Sequence, residues 1–96
     1  MIGVIAKLSV KPDMIETFEA AASALVKSVN ANEPDCLLYE LYKSPKDPAC
    51  YVFMEKYKNK AALEAHGKTD YFITAQGLLG PCLSAPPDIQ SYIPVD

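Results

Sequence analysis

The chain has 96 residues, half of them hydrophobic and 22% charged, which fits one small folded domain and excludes a disordered or membrane-embedded chain. Its formal net charge is -3, and its nine basic residues are all lysines with no basic run, which argues against a nucleic-acid binder, since such proteins grip phosphates through clustered Lys and Arg. The three cysteines, Cys36, Cys50 and Cys82, form no CxxC pair and no zinc spacing, a pattern expected of reduced thiols in a cytosol. The apolar run from Met1 to Ala6 stops at Lys7, short for a signal-peptide core, and no segment is long enough to span a bilayer. A cytoplasmic location without nucleic-acid or membrane partners is the expectation.

Residues 2–10 alternate, with Ile2, Val4, Ala6, Leu8 and Val10 on one face, which predicts a strand. Lys11-Pro12 breaks it. Asp13 is placed to cap the following helix, with Glu16 three residues on. Met14, Phe18, Ala21, Ala22, Leu25 and Val29 then recur at helical spacing, predicting an amphipathic helix over 13–31 with one buried stripe. Glu33-Pro34-Asp35 reads as a turn. The segments 36–43 and 50–57 are rich in aromatic and apolar residues and read as strands joined by a six-residue hairpin link. Asn59 is placed to cap a short helix over 60–66, and Thr69 and Asp70 to start another that ends before Gly80-Pro81. Residues 88–93 alternate again and supply the last strand.

The order β-α-β-β-α-β is the split βαβ layout of a single α+β domain over 1–96. Its helices can cover only one face of the sheet. In the middle strands one face is expected to carry Leu37, Tyr39, Leu41, Val52 and Met54, and the other Cys36, Leu38, Tyr42, Tyr51, Phe53 and Tyr57. Neither set is polar, so a second copy of the chain is the expected cover for the open face, giving a homodimer.

Few residues offer chemistry. The single histidine, His66, suits general acid-base work, although its residue context alone favours a helix-terminal contact with the local dipole and a nearby acid. Glu55 lies in a strand among aromatic residues, where burial would raise its pKa if the site is a cavity and a salt bridge would explain it otherwise. The aromatic residues offer ring surface for a flat ligand or for ordinary packing. There is no GxSxG elbow, no phosphate-cradling glycine loop and no convincing metal set, so no cofactor and no metal are expected.

Glu33-Pro34-Asp35-Cys36-Leu37-Leu38-Tyr39-Glu40-Leu41 resembles the Glu-Pro-Gly-Cys-x-x-Tyr-Glu-Leu stretch of the antibiotic biosynthesis monooxygenase domain family. Glu55-Lys56-Tyr57, followed by Ala61-Ala62-Leu63-Glu64-Ala65-His66, is similar to that family's Glu-x-Trp and Ala-Leu-x-x-His, and Lys68-Thr69-Asp70-Tyr71-Phe72 continues the likeness. The resemblance implies a ferredoxin-like antiparallel sheet that dimerises into an α+β barrel, with a pocket between sheet and helices in each subunit. It also implies cofactor-free oxidation of a quinol or phenolic aromatic by O2. Carried onto this chain, it makes His66 and Glu55 the catalytic pair, places Tyr57, Tyr51 and Phe72 around the substrate, and lets Asn32 add a hydrogen bond.

Two positions depart from the family pattern. Asp35 stands where Gly is usual, and Asp tolerates the left-handed backbone. Tyr57 stands where many members have Trp, which with the absence of any Trp argues against the haem-degrading branch. The Glu-x-Tyr spelling resembles a branch that isomerises small phosphorylated autoinducer sugars, for which Lys56, Lys58 or Lys68 would have to hold the phosphate. A non-catalytic dimer that binds a small molecule is the third expectation.

Overall fold

Seven main elements follow one another along residues 1–96, all of which the computed structural model describes: β1 (Ile2–Ser9), α1 (Ile15–Asn32), β2 (Cys36–Lys43), β3 (Cys50–Tyr57), α2 (Lys60–Gly67), α3 (Asp70–Leu79) and β4 (Asp88–Tyr92). The strands form one sheet in the order β2-β3-β1-β4, with every neighbouring pair antiparallel. This is the α+β ferredoxin-like arrangement. No helix is long and apolar enough to cross a membrane.

The period-two reading of β1 holds: Val4, Ala6 and Leu8 are buried under the helices while Lys7 is exposed. The stripe on α1 also holds, with Phe18, Ala22, Leu25 and Val29 all buried at spacings of four, three and four, the repeat that keeps one helix face on the sheet. The start of that helix differs from expectation. Pro12–Met14 forms a separate 3-10 turn, α1 begins at Ile15, and Asp13 makes no capping bond. Proline suits the first position of such a turn, because it needs no N–H there, and the turn carries Asp13 past the capping position. The other two caps form as expected. The Asn59 side chain accepts from the Ala62 N–H at 2.9 Å, and that of Thr69 accepts from the Phe72 N–H at 3.3 Å. The Glu33-Pro34-Asp35 turn closes with the Cys36 N–H donating to the Glu33 carbonyl at 3.1 Å. It needs no left-handed residue, since the chain has none, so Asp in place of Gly costs this backbone nothing.

The assignment of faces in the middle strands needs correcting. Tyr39 lies opposite Glu55, Leu41 opposite Phe53 and Lys43 opposite Tyr51. Directly paired residues share a face, so Tyr39 and Leu41 point with Tyr51, Phe53, Glu55 and Tyr57 toward the helices, not with Val52 and Met54. A bulge between Cys36 and Leu38 then brings Cys36 opposite Tyr57, onto the helix side, and leaves Leu37 half-exposed. Alternation within each strand is a local property, whereas the pairing of two strands depends on register, which one inserted residue reverses. The outer face is accordingly mixed. It presents Ile5, Leu38, Tyr42, Val52, Met54 and Tyr92, interleaved with Lys7, Glu40, Lys56 and Gln90.

The core lies on the inner face. Phe18 packs on Tyr51 with ring centroids 4.6 Å apart, and Tyr39 on Phe53 at 5.4 Å, offset contacts that aromatic pairs favour.

Candidate active site

A cavity of about 360 Å³ lies between the inner sheet face and the three helices, within the size range of small-molecule sites. Val4, Ala6 and Phe53 form its floor, and Leu63 and Phe72 stand among its walls. Four polar side chains open onto it: Tyr39, Glu55, His66 and Gln76.

The cavity's histidine sits in the last turn of α2, and only 4% of its surface is exposed. Its imidazole is enclosed by rings, with Phe72 at 4.6 Å, Tyr39 at 5.2 Å and Tyr57 at 5.4 Å between centroids. Nδ1 lies 3.1 Å from both carboxylate oxygens of Glu33. The Tyr71 hydroxyl donates to Oε2 of the same carboxylate. Thr69 ties the turn down by donating its hydroxyl to the His66 carbonyl at 2.9 Å. All hydrogen bonds of the ring pass through Nδ1. Since no buried side-chain nitrogen or oxygen of the protein lacks a partner, Nε2 is not sealed in the interior, and it opens onto free space.

Glu55 occupies the middle of β3, between Val4 of β1 and Tyr39 of β2. Burial disfavours its charged form and raises its pKa, and the hydrogen bond from Tyr57 works against that rise. The Tyr57 hydroxyl donates to Oε1 at 2.6 Å. Burial, with the Glu55 charge next, pushes the Tyr57 hydroxyl pKa up, and burial does the same to Tyr39. Both phenols therefore stay protonated and act as donors. Cys36 is held as a thiol, its pKa pushed up to about 11 by burial first and by Glu33 second, which rules out a reactive thiolate there at neutral pH.

Of the residues singled out from sequence, His66, Glu55 and Phe72 share the cavity. Tyr57 stands behind it, fully buried, where it holds Glu55 and packs on His66 rather than lining the space. Two expected wall residues lie elsewhere. Tyr51 donates its hydroxyl to Glu19 Oε2 at 2.5 Å and rests on Phe18, two residue pairs along β3 from Glu55 and on the far side of Phe53. Asn32 turns back on its own helix and donates to the Ser28 carbonyl one turn back at 2.8 Å, a contact at the exposed end of α1 that keeps it out of the cavity. Two polar residues at the site were not anticipated, Glu33 and Gln76, and Tyr39 was expected only among the aromatic residues that offer ring surface. The sequence carried one clue, the Glu33-Pro34 pair, whose proline ends α1 and leaves Glu33 fixed at its C-cap.

A model of the antibiotic biosynthesis monooxygenase family matches residues 1–78. The chain belongs to that family. It is 34% identical over 92 residues to YcnE of Bacillus subtilis, a protein named as a candidate monooxygenase, with 93% of each chain covered. An uncharacterised Synechocystis protein, sll1783, is 31% identical over 95% of this chain, and the match spans only 61% of that longer relative. Among solved structures, a candidate antibiotic biosynthesis monooxygenase from Caulobacter crescentus superimposes with a TM-score of 0.95 at 39% identity, covering 99% of this chain and 90% of that one. Membership accounts for the likeness of the Glu33–Leu41 and Glu55–His66 stretches. In this member those stretches are the segments that bring Glu33, Tyr39, Glu55 and His66 together.

Proposed function

We propose that the protein is a cofactor-independent monooxygenase that oxidises a quinol or phenolic aromatic with O2. The observation that carries this reading is that two proton-accepting groups, His66 and Glu55, open onto one ring-walled apolar cavity of about 360 Å³. A flat aromatic fits such a space, and its hydroxyl needs a base within it. Family membership supports the same reading.

The electrons come from the substrate. His66 Nε2 takes the hydroxyl proton, with Glu55 beside it. The phenolate passes one electron to O2, giving a phenoxyl radical and superoxide. These recombine to form a carbon–oxygen bond, and the O–O bond of the resulting peroxide then breaks. One oxygen stays on the ring as a carbonyl or hydroxyl, and the other leaves as water with the transferred protons. For a quinol the balance is one quinol plus one O2 to one hydroxyquinone plus one water. The protein's part is to deprotonate, hold the ring against Phe72 and exclude bulk water. Tyr39 and Gln76 are available as hydrogen-bond donors to the substrate oxygens.

Isomerisation of a small phosphorylated sugar is less well supported, because no lysine lines the cavity and a phosphate needs positive charge or clustered donors. We also propose that the chain works as a homodimer through the outer sheet face, where Tyr42, Met54 and Tyr92 are exposed; light scattering would read a mass of twice 10.5 kDa.

Oxygen uptake by chelator-treated protein given a reduced naphthoquinol tests the catalytic reading, with 18O2 used to follow the inserted atom. Uptake above the blank, one label per product and loss of the rate in His66→Ala are expected. Uptake no faster than the blank overturns the oxygenase. A quinol-induced rise in melting temperature without turnover would instead mark a binding protein.

A further inference from the structure

We propose that Glu33, held by Tyr71, is the positioning residue of the site: it fixes the His66 proton on Nδ1 and so presents the Nε2 lone pair to the cavity. The inference rests on the proposed function only where Nε2 acts as a base; the proton placement stands without it. Nδ1 is 3.1 Å from each Glu33 oxygen. An ionised carboxylate can only accept, so the shared proton belongs to Nδ1, and in the neutral ring the hydrogen bond at one nitrogen decides which form the other takes.

Glu33 is well anchored for this task. Its N–H donates to the Val29 carbonyl at 2.9 Å, and Pro34 follows it. Tyr71 donates to its Oε2. The Tyr71 hydroxyl pKa is pushed up to about 12, by burial first and by the Glu33 hydrogen bond second, so it remains a donor throughout the working range. Three elements thus meet in one relay: the end of α1, the end of α2 and the start of α3. The other titratable groups facing His66 are Glu55 and Tyr57 from β3 and Tyr39 from β2, and Cys36 of β2 shares a surface cleft with it. Of all these, only Glu33 contacts Nδ1. When Nε2 takes a proton, the imidazolium forms against a carboxylate already in place.

The protein has one histidine, so a single ring supplies the signal. Long-range 1H–15N correlation on ring-labelled protein, without substrate and well above the ordinary histidine range of about 6.5, should show a protonated Nδ1 and a bare Nε2. In Glu33→Ala the population should move toward the Nε2–H form. Oxygen-uptake kcat in that variant should drop about tenfold or more with KM little changed, because Glu33 does not line the cavity. A wild-type ring protonated on Nε2, or a Glu33→Ala ring unchanged from wild type, overturns the proposal. If Glu33→Ala does not fold, the wild-type spectrum and Tyr71→Phe, which should loosen the same proton, still decide. If quinol is not oxidised at all, the spectrum is unaffected and only the oxygenase reading falls.

Discussion

The two ends of α1 hold the same pair of groups in different settings. Near its start, Glu19 accepts from the Tyr51 hydroxyl, and at its end Glu33 accepts from the Tyr71 hydroxyl. Burial pushes both phenols up to about 12. Around the first pair, fully buried Phe18 fills the space between helix and sheet, and Lys43 approaches Glu19 at 3.9 Å on the solvent side. Around the second, a histidine stands between the carboxylate and an open cavity. A tyrosine–glutamate hydrogen bond is therefore not a functional signature in itself. What sets the second pair apart is the open space beyond it and the titratable ring that connects the two.

Substitutions can break that contrast. The largest activity effect is expected from His66→Ala, which should lower quinol-dependent oxygen uptake by about 10²- to 10⁴-fold, the usual contribution of a general base; Glu19→Gln at the other end should leave the rate within about twofold. Stability should respond the other way round. Phe18→Ala, in the filled end, should cost about 3–5 kcal/mol in denaturant unfolding. Phe72→Ala, beside a space already open, should cost less and appear mainly as a raised KM.

Glu55 gives the pH-dependent version of the comparison. Its folded pKa lies above the ordinary value of 4.5, so in the pH interval between the two values the native state holds a proton that the unfolded state has released. Its contribution favours folding below pH 4.5 and is lost as pH rises through the raised folded value. Glu55→Gln keeps an acceptor for Tyr57 but cannot ionise. Melting curves from pH 4 to 8 should show the variant gaining on the wild type as pH rises; a constant difference would refute a pKa raised by burial at Glu55. Smaller still is Thr69→Ala, which removes the α3 cap and the bond to the His66 carbonyl, and should cost about 1 kcal/mol. Tyr51→Phe should be the mildest, within about 1 kcal/mol, with no change in turnover.

The strands, the α1 stripe, the caps at Asn59 and Thr69 and the β-α-β-β-α-β order were all legible in the sequence. Each depends on neighbours a few residues apart: alternation at period two, apolar spacing near 3.6, and a side chain bonding a backbone N–H three residues on. His66 and Glu55 were legible as candidates for a related reason, since a lone histidine and a carboxylate among rings stand out by type. Tertiary structure alone decided the rest. The bulge at Cys36 and the register of β2 on β3 put Tyr39 beside Glu55, which within-strand alternation cannot foresee. Phe18 filled the space at Tyr51, removing that residue from the site expected for it. Glu33 and His66 are 33 positions apart in the chain, and no spacing rule relates the end of one helix to the end of the next. Their meeting depends on how α1 and α2 lie across the same sheet, a packing outcome carried by many residues at once and written in no short stretch of sequence.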